Sequence, residues 1–145
     1  MKLTAVLAAA LCSAALAPTS LAGQSAADSV AIRAAALDYA EGWYTGDGAR
    51  MQRALHPDLA KRIVQRGEQE TLQQMDAAQL TGMAARGGGR NTPADRQQKD
   101  VRILDVFGTT ASVRLTMESW IDYMHLAKWD GRWVIVNVLW EMKAR

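Results

Sequence analysis

The chain of 145 residues has few of the residues that staple a fold or mark a metal site. It holds one cysteine, Cys12, one phenylalanine, three prolines and two histidines, His56 and His125. A single thiol closes no internal disulfide, and two histidines in distant segments give no ligand spacing of a zinc type. No Ser-His-Asp, nucleophilic-Cys or phosphate-loop pattern occurs. An excess of charge is missing too: 17 Lys and Arg stand against 15 Asp and Glu, without the basic clustering that nucleic-acid binding requires. Beyond the N-terminal segment, no apolar run approaches the roughly 20 residues of a transmembrane helix. Metal, cofactor, nucleic acid and membrane are therefore not expected as partners of the folded domain.

Met1-Lys2 is a short basic start, Leu3 to Ala17 is mostly Ala and Leu, and Ser20-Leu21-Ala22 offers small residues for cleavage. Residues 1–22 read as a secretory signal cut before Gly23. Cys12 lies inside the apolar run and follows Leu11, where a lipid-attachment site wants a small residue, so lipidation is disfavoured. Residues 23–145 then form one exported domain, periplasmic or secreted, large enough for its own core.

The first half of that domain has helical periodicity. Ile32, Ala36, Tyr39 and Trp43 recur at three- and four-residue intervals, with Asp28 as N-cap and Thr45-Gly46 as stop. Asp47 caps a second helix carrying Met51, Ala54 and Leu55, which ends near His56 because Pro57 follows. Leu59 to Arg66 is short and mixed, a turn or brief strand. A third helix runs from Asp76, with Leu80, Met83 and Ala84 on one face, to Gly87-Gly88-Gly89; residues 87–95 form an exposed loop.

Beyond Arg96 the period becomes two. Val101–Phe107 and Ala111–Met117 flank Gly108-Thr109, while Ser119–Trp129 and Arg132–Met142 flank Asp130-Gly131, so two hairpins are expected. A two-residue Asp-Gly turn pairs Tyr123 with Val138, His125 with Val136 and Ile121 with Trp140 on one face. Trp120, Asp122, Met124, Leu126 and Lys128 share the other with Glu141, Leu139, Asn137, Ile135 and Trp133. Both faces are largely apolar, so helices should cover one and a second copy of the chain the other. The plan is α+β: N-terminal helices on a curved antiparallel sheet.

Several segments in this order carry a family resemblance. They are Glu41-Gly42-Trp43-Tyr44-Thr45-Gly46-Asp47, Ala54 to Arg62 (Ala-Leu-His-Pro-Asp-Leu-Ala-Lys-Arg), Gly87 to Arg90, Ile103 to Gly108, Asp122-Tyr123 with His125 to Lys128, and Asp130 to Trp133 with Ile135 to Trp140. The chain resembles the NTF2-like superfamily, and within it the SnoaL-like "putative lumazine-binding" proteins. That resemblance implies a cone with a pocket between sheet and helices and often a dimer through the sheet. Related folds include isomerases, cyclases and dehydratases using Asp, His or Tyr inside the cone, alongside proteins that only bind ligands or hold partners.

An imidazole exchanges protons near neutral pH, which makes His125 a candidate general base, with Tyr123 beside it on the same face as hydrogen-bond donor. The plainer alternative makes His125 a satisfied sheet residue and Tyr123 a core or dimer ring. Asp122 is on the opposite face, where Trp120 and Glu141 would complete a carboxylate cluster, or where it pairs with Lys128 or an Arg at the rim. A register slip of one residue exchanges the two faces. Trp43, Tyr44, His56, Tyr123, His125 and Trp140 are the candidate ligand-binding residues, although Trp43 and Tyr44 could equally be core and His56 a brace for its turn. Trp120, Trp129, Trp133 and Trp140 crowd the last hairpin. Gly87-Gly88-Gly89-Arg90 is either an anion nest or a mobile loop or lid. Three functions stay open: a small-molecule binder with an apolar or aromatic ligand, an isomerase, dehydratase or cyclase working through His125 and Tyr123, and an interaction scaffold.

Overall fold

The computed structural model describes residues 21–144, with side chains from residue 26. The expected leader thus lies outside the described residues except for Leu21 and Ala22, which open the first helix, and Cys12 lies outside them as well. Helix α1 (Leu21–Thr45) buries Ile32, Ala35, Ala36, Tyr39 and Ala40, a stripe at helical spacing that lies against the sheet. It stops where Gly46 takes a φ of 72°, a left-handed conformation that suits glycine. The Asp47 carboxylate then accepts from Arg50 N–H at 2.9 Å and starts α2 (Gly48–Ala54). Asp76 and Gln79 form a reciprocal capping box for α3 (Ala77–Ala85).

Asp28 does not cap α1, contrary to the sequence expectation. The helix begins at Leu21, which puts Asp28 two turns inside it. There its carboxylate accepts from Trp133 Nε1 at 2.9 Å and Lys128 Nζ at 3.0 Å, tying α1 to the last hairpin.

Six strands form one sheet: β1 (Leu55–Gln65), β2 (Thr71–Met75), β3 (Asp100–Phe107), β4 (Thr110–Thr116), β5 (Trp120–Trp129) and β6 (Arg132–Met142), in the order β2-β1-β6-β5-β4-β3. All neighbours are antiparallel except β1 and β6. The expected turn or brief strand after Leu59 is a full strand in the sheet. Its inward set is Leu59, Lys61 and Ile63, all buried, and a lysine in the middle of that set obscures the apolar alternation. Strand β2 was not expected at all: at the sheet edge it is exposed almost throughout, so burial imprints no pattern on it.

The last hairpin departs from expectation by one residue. Asp130 and Gly131 turn the chain with φ of 47° and 73°, and Trp129–Arg132 through Leu126–Ile135 pair as the two-residue loop requires. Val136 then bulges out, and His125 faces Asn137 rather than Val136, Tyr123 faces Leu139 rather than Val138, and Ile121 faces Glu141 rather than Trp140. One inserted residue moves every later side chain of β6 to the opposite face. Val138 and Trp140 thereby join Asp122 and Met124 beneath the helices, while Leu139, Glu141 and Asn137 turn outward with Tyr123 and His125. The outer face is consequently mixed, with Tyr123 and Leu139 each half exposed between Arg62 and Arg114.

Candidate functional site

The bulge and the buried stripe of β1 together place two opposite charges inside the fold. Lys61 leaves β1 between Leu59 and Ile63, and Asp122 leaves β5 between Trp120 and Met124. Their side chains are 5% and 0% exposed, and Lys61 Nζ donates to Asp122 Oδ1. Asp122 Oδ2 accepts from Trp120 Nε1 at 2.8 Å. The ammonium lies 4.6 Å from the centre of the Trp140 ring and 5.5 Å from that of Tyr39, within the range of cation–π attraction. Trp120 meets Trp140 edge-on at 6.1 Å and Trp43 edge-on at 5.6 Å. An ion pair therefore lies among four aromatic rings between α1 and the sheet.

Burial lowers the pKa of the Lys61 ammonium below its usual 10.5, which the Asp122 charge partly restores. Burial likewise pushes the Tyr39 phenol well above its usual 10.0, with the Asp122 charge and a hydrogen bond to it adding to the rise. Removing two ions from water costs several kcal/mol each, which their attraction recovers only with good geometry and further hydrogen bonds. Such a pair is a poor choice for stability alone, and strongly perturbed buried groups concentrate at functional sites.

The glycine loop seals one side of this cluster. A Cβ on Gly88 would come within 2.5 Å of the Trp43 ring, and one on Gly89 within 2.2 Å. Backbone so close to an indole explains the glycines by contact, where the sequence suggested an anion nest or a mobile lid. Arg90 lies against Gly46, whose Cβ would meet its guanidinium at 2.5 Å.

The sequence candidates divide into separate neighbourhoods. Trp43 and Trp140 belong to the cluster, joined through Trp120. Tyr44 is buried beside it, donating to the Gln98 carbonyl and accepting from Glu118 N–H, both at 2.9 Å, so it ties two loops to α1. His56 is far off, edge-on to Trp129 at 4.7 Å, and its Nδ1 accepts from Asp58 N–H at 3.0 Å, bracing the Pro57 turn. Glu141 is exposed with Arg66 at 3.8 Å, so it does not join Asp122; the partner of Asp122 is Lys61, while Lys128 serves Asp28.

Tyr123 and His125 stand on the outer face. Arg62 Nη1 donates to Asn137 Oδ1 at 2.9 Å, which turns Asn137 Nδ2 toward His125 Nδ1 at 3.2 Å. A guanidinium can only donate, so it orients the amide, and His125 Nδ1 accepts. His125 lines an open groove of about 320 Å³ with Asp105, Phe107 and Ser112. Tyr123 and Trp140 both line a smaller pocket of about 220 Å³ beside Leu139 and Val64.

Lys61 was missed by sequence reasoning although its signal was present: alternation puts it on the same side as Leu59 and Ile63, facing inward. Among the described residues no group of three or more His, Cys, Asp and Glu could hold a metal, and no helix is long and apolar enough to cross a membrane.

Helices packed on a six-stranded curved sheet with a polar cluster between them define an NTF2-like α+β cone. Residues 27–141 match the family described as "Putative lumazine-binding", and the chain belongs to it. None of the curated proteins matches the chain. An NTF2-like protein of unknown function from Shewanella baltica superposes with a TM-score of 0.63 at 20% identity, covering 83% of this chain and 97% of that one. A second, from Silicibacter pomeroyi, gives 0.67 at 15% identity, over 82% and 98%. A protein from Novosphingobium aromaticivorans titled "Putative Scytalone Dehydratase" gives 0.55 at 12% identity, over 86% and 89%. Likeness at these identities concerns the fold alone.

Proposed function

We propose that the chain is an exported domain that binds a small, largely apolar or aromatic molecule in its cone, around Lys61 and Asp122. The observation that carries this is the buried ion pair ringed by Tyr39, Trp43, Trp120 and Trp140. Aromatic walls with a few convergent polar groups suit a flat organic ligand, and the family description points the same way. The signal-like residues 1–22 support export. The half-exposed Tyr123 and Leu139 support a second copy seated on the outer face.

Native mass spectrometry of the protein purified after export tests the binding reading. A small molecule that stays with the wild-type chain and is lost from a Lys61→Met/Asp122→Leu variant is the expected result. Equal retention by both would remove the cone as the site. An isomerase or dehydratase built on this chain would draw on Lys61, Asp122 and Tyr39, since these groups meet in the interior and His125 and Tyr123 do not.

A further inference from the structure

The seam between α2 and α3 holds a groove of about 740 Å³, a size usual for a ligand site. It lies on the side of those helices that faces away from the core. Helix α2 buries Met51 and Ala54 and α3 buries Leu80 and Ala84, whereas the groove is walled by Gln52 and Arg53 from α2 and by Ala77, Ala78 and Thr81 from α3. The helices meet at one end, where a Cβ on Gly48 would come within 2.9 Å of the Ala85 methyl, and the groove opens along the rest of the seam. Its apolar floor is made by Leu55 and Pro57, where β1 begins, together with the alanines of both helices.

Two guanidiniums border this floor, those of Arg53 and Arg132, and no acidic residue lines the groove. Arg132 Nη1 donates at 3.2 Å to the carbonyl of Arg53 in the last turn of α2, where a cation also suits the helix dipole. That contact uses one of the five donors of the fork. Asp38 stands 3.8 Å from Arg53 Nε but gives its other oxygen to Arg50 at 2.7 Å, so Arg53 is only loosely countered. The Asp76 carboxylate, next to Ala77, accepts from the Gln79 N–H of its own helix cap. We propose that this groove is a second binding site, separate from the cone, for a carboxylate carried on an apolar body. A carboxylate meets a guanidinium through two parallel N–H···O bonds, and two arginines facing one shared acid leave a positive charge that a monoanion neutralises. A purely polar anion would leave the apolar floor in water, and a neutral apolar molecule would leave the arginines unanswered.

The test uses the intact ¹⁵N-labelled protein titrated with octanoate, octanol, octylammonium and acetate. Octanoate is expected to bind about tenfold more tightly than octanol, which keeps the chain and lacks the charge, and to shift the amides of Arg53, Ala78 and Thr81. Octylammonium and acetate should bind more weakly than octanoate. Added salt should weaken octanoate and leave octanol unchanged. Arg132→Gln should bring octanoate close to octanol, and Arg132→Lys, which keeps the charge without the fork, should fall between. Ala78→Trp, at an exposed helix position, should weaken both probes alike by filling the groove. Octanoate should still bind the Lys61→Met/Asp122→Leu protein, which keeps this site distinct from the cone. Equal affinity for octanoate and octanol, octylammonium binding tightest, or an undiminished preference in folded Arg132→Gln would overturn the ligand class. Octanoate that moves the Trp120 indole instead of Thr81, or that fails to bind at all, would overturn the groove as its site.

Discussion

Lys61→Met isolates the ion pair. The substitution keeps a long unbranched side chain in place and leaves Asp122, fully buried, without its counter-charge. Breaking a buried pair from one side costs about 3–5 kcal/mol, because the remaining ion is neither solvated nor paired. At roughly 2–4 °C per kcal/mol for a domain near this size, Tm should fall on the order of 10 °C. Removing both ions in Lys61→Met/Asp122→Leu should recover most of that loss, since an apolar replacement of a buried pair is often neutral or stabilising. The recovery is limited because Trp120 Nε1–H, now bonded to Asp122, loses its acceptor at about 1–3 kcal/mol. Urea denaturation of the four proteins at pH 7 closes the double-mutant cycle. A coupling energy below about 0.5 kcal/mol, the ordinary additivity error for independent sites, would refute the idea that the two charges depend on each other.

Acid should weaken the fold through Asp28, Glu41 and Glu118. All three carboxyls are lowered: Asp28 by hydrogen bonds from Trp133 and then Lys128, Glu41 chiefly by Lys99, and Glu118 by Ser119 and then Arg96. A depressed folded value means the unfolded chain takes up protons first, so their contribution is complete above the ordinary carboxylate range and is lost as pH falls through the folded values. A denaturation series from pH 7 to pH 2 should lose less stability in Trp133→Phe than in wild type. Gly89→Ala should cost about 1–3 kcal/mol by driving a methyl into Trp43. Gly67→Ala, with no atom closer than 3.8 Å, should be far milder, and equal thermal shifts for the two would contradict the sealing role of the loop. Deleting Val136 should abolish the native pairing of Asp122 with Trp140, read as loss of the Trp120–Trp140 contact by NMR. His125→Ala should leave ligand retention unchanged, and its loss on native mass spectrometry would move the site to the outer face.

The helices and hairpins are legible because local chemistry marks them: Asp47 and Asp76 cap, Gly46 stops, and Asp130-Gly131 turns. The cone and the family are legible for the same reason, through segments spread along the chain. Asp28 misleads because it suits an N-cap, yet the alanine-rich sequence before it extends the helix and leaves its carboxylate to the tertiary partners Trp133 and Lys128. The faces of β6 are not legible beyond Ile135. Val134, Ile135, Val136 and Val138 are all apolar, so nothing local says which residue is surplus, and the burial of Val138 and Trp140 decides it. The pairing of Lys61 with Asp122 depends on β1 lying beside β6, a contact between distant parts of the chain. Trp43 and Trp140 could be named from the sequence as lining residues, whereas their link through Trp120 required the bulge.

The parallel pairing of β1 with β6 sets the order in which the chain can become complete. Arg62 and Asn137 are 75 positions apart and meet across that seam, and loop closure of this length must precede the reward of its contacts. Until β6 has arrived, β1 has only the short edge strand β2 beside it and the indole of Trp140 is absent from above Lys61. A chain emerging from a ribosome or a translocation channel can form its early helices at once, but its central seam waits for β6. If residues 1–22 direct export as proposed, that delay would keep the chain threadable during passage and make folding an event of the far side.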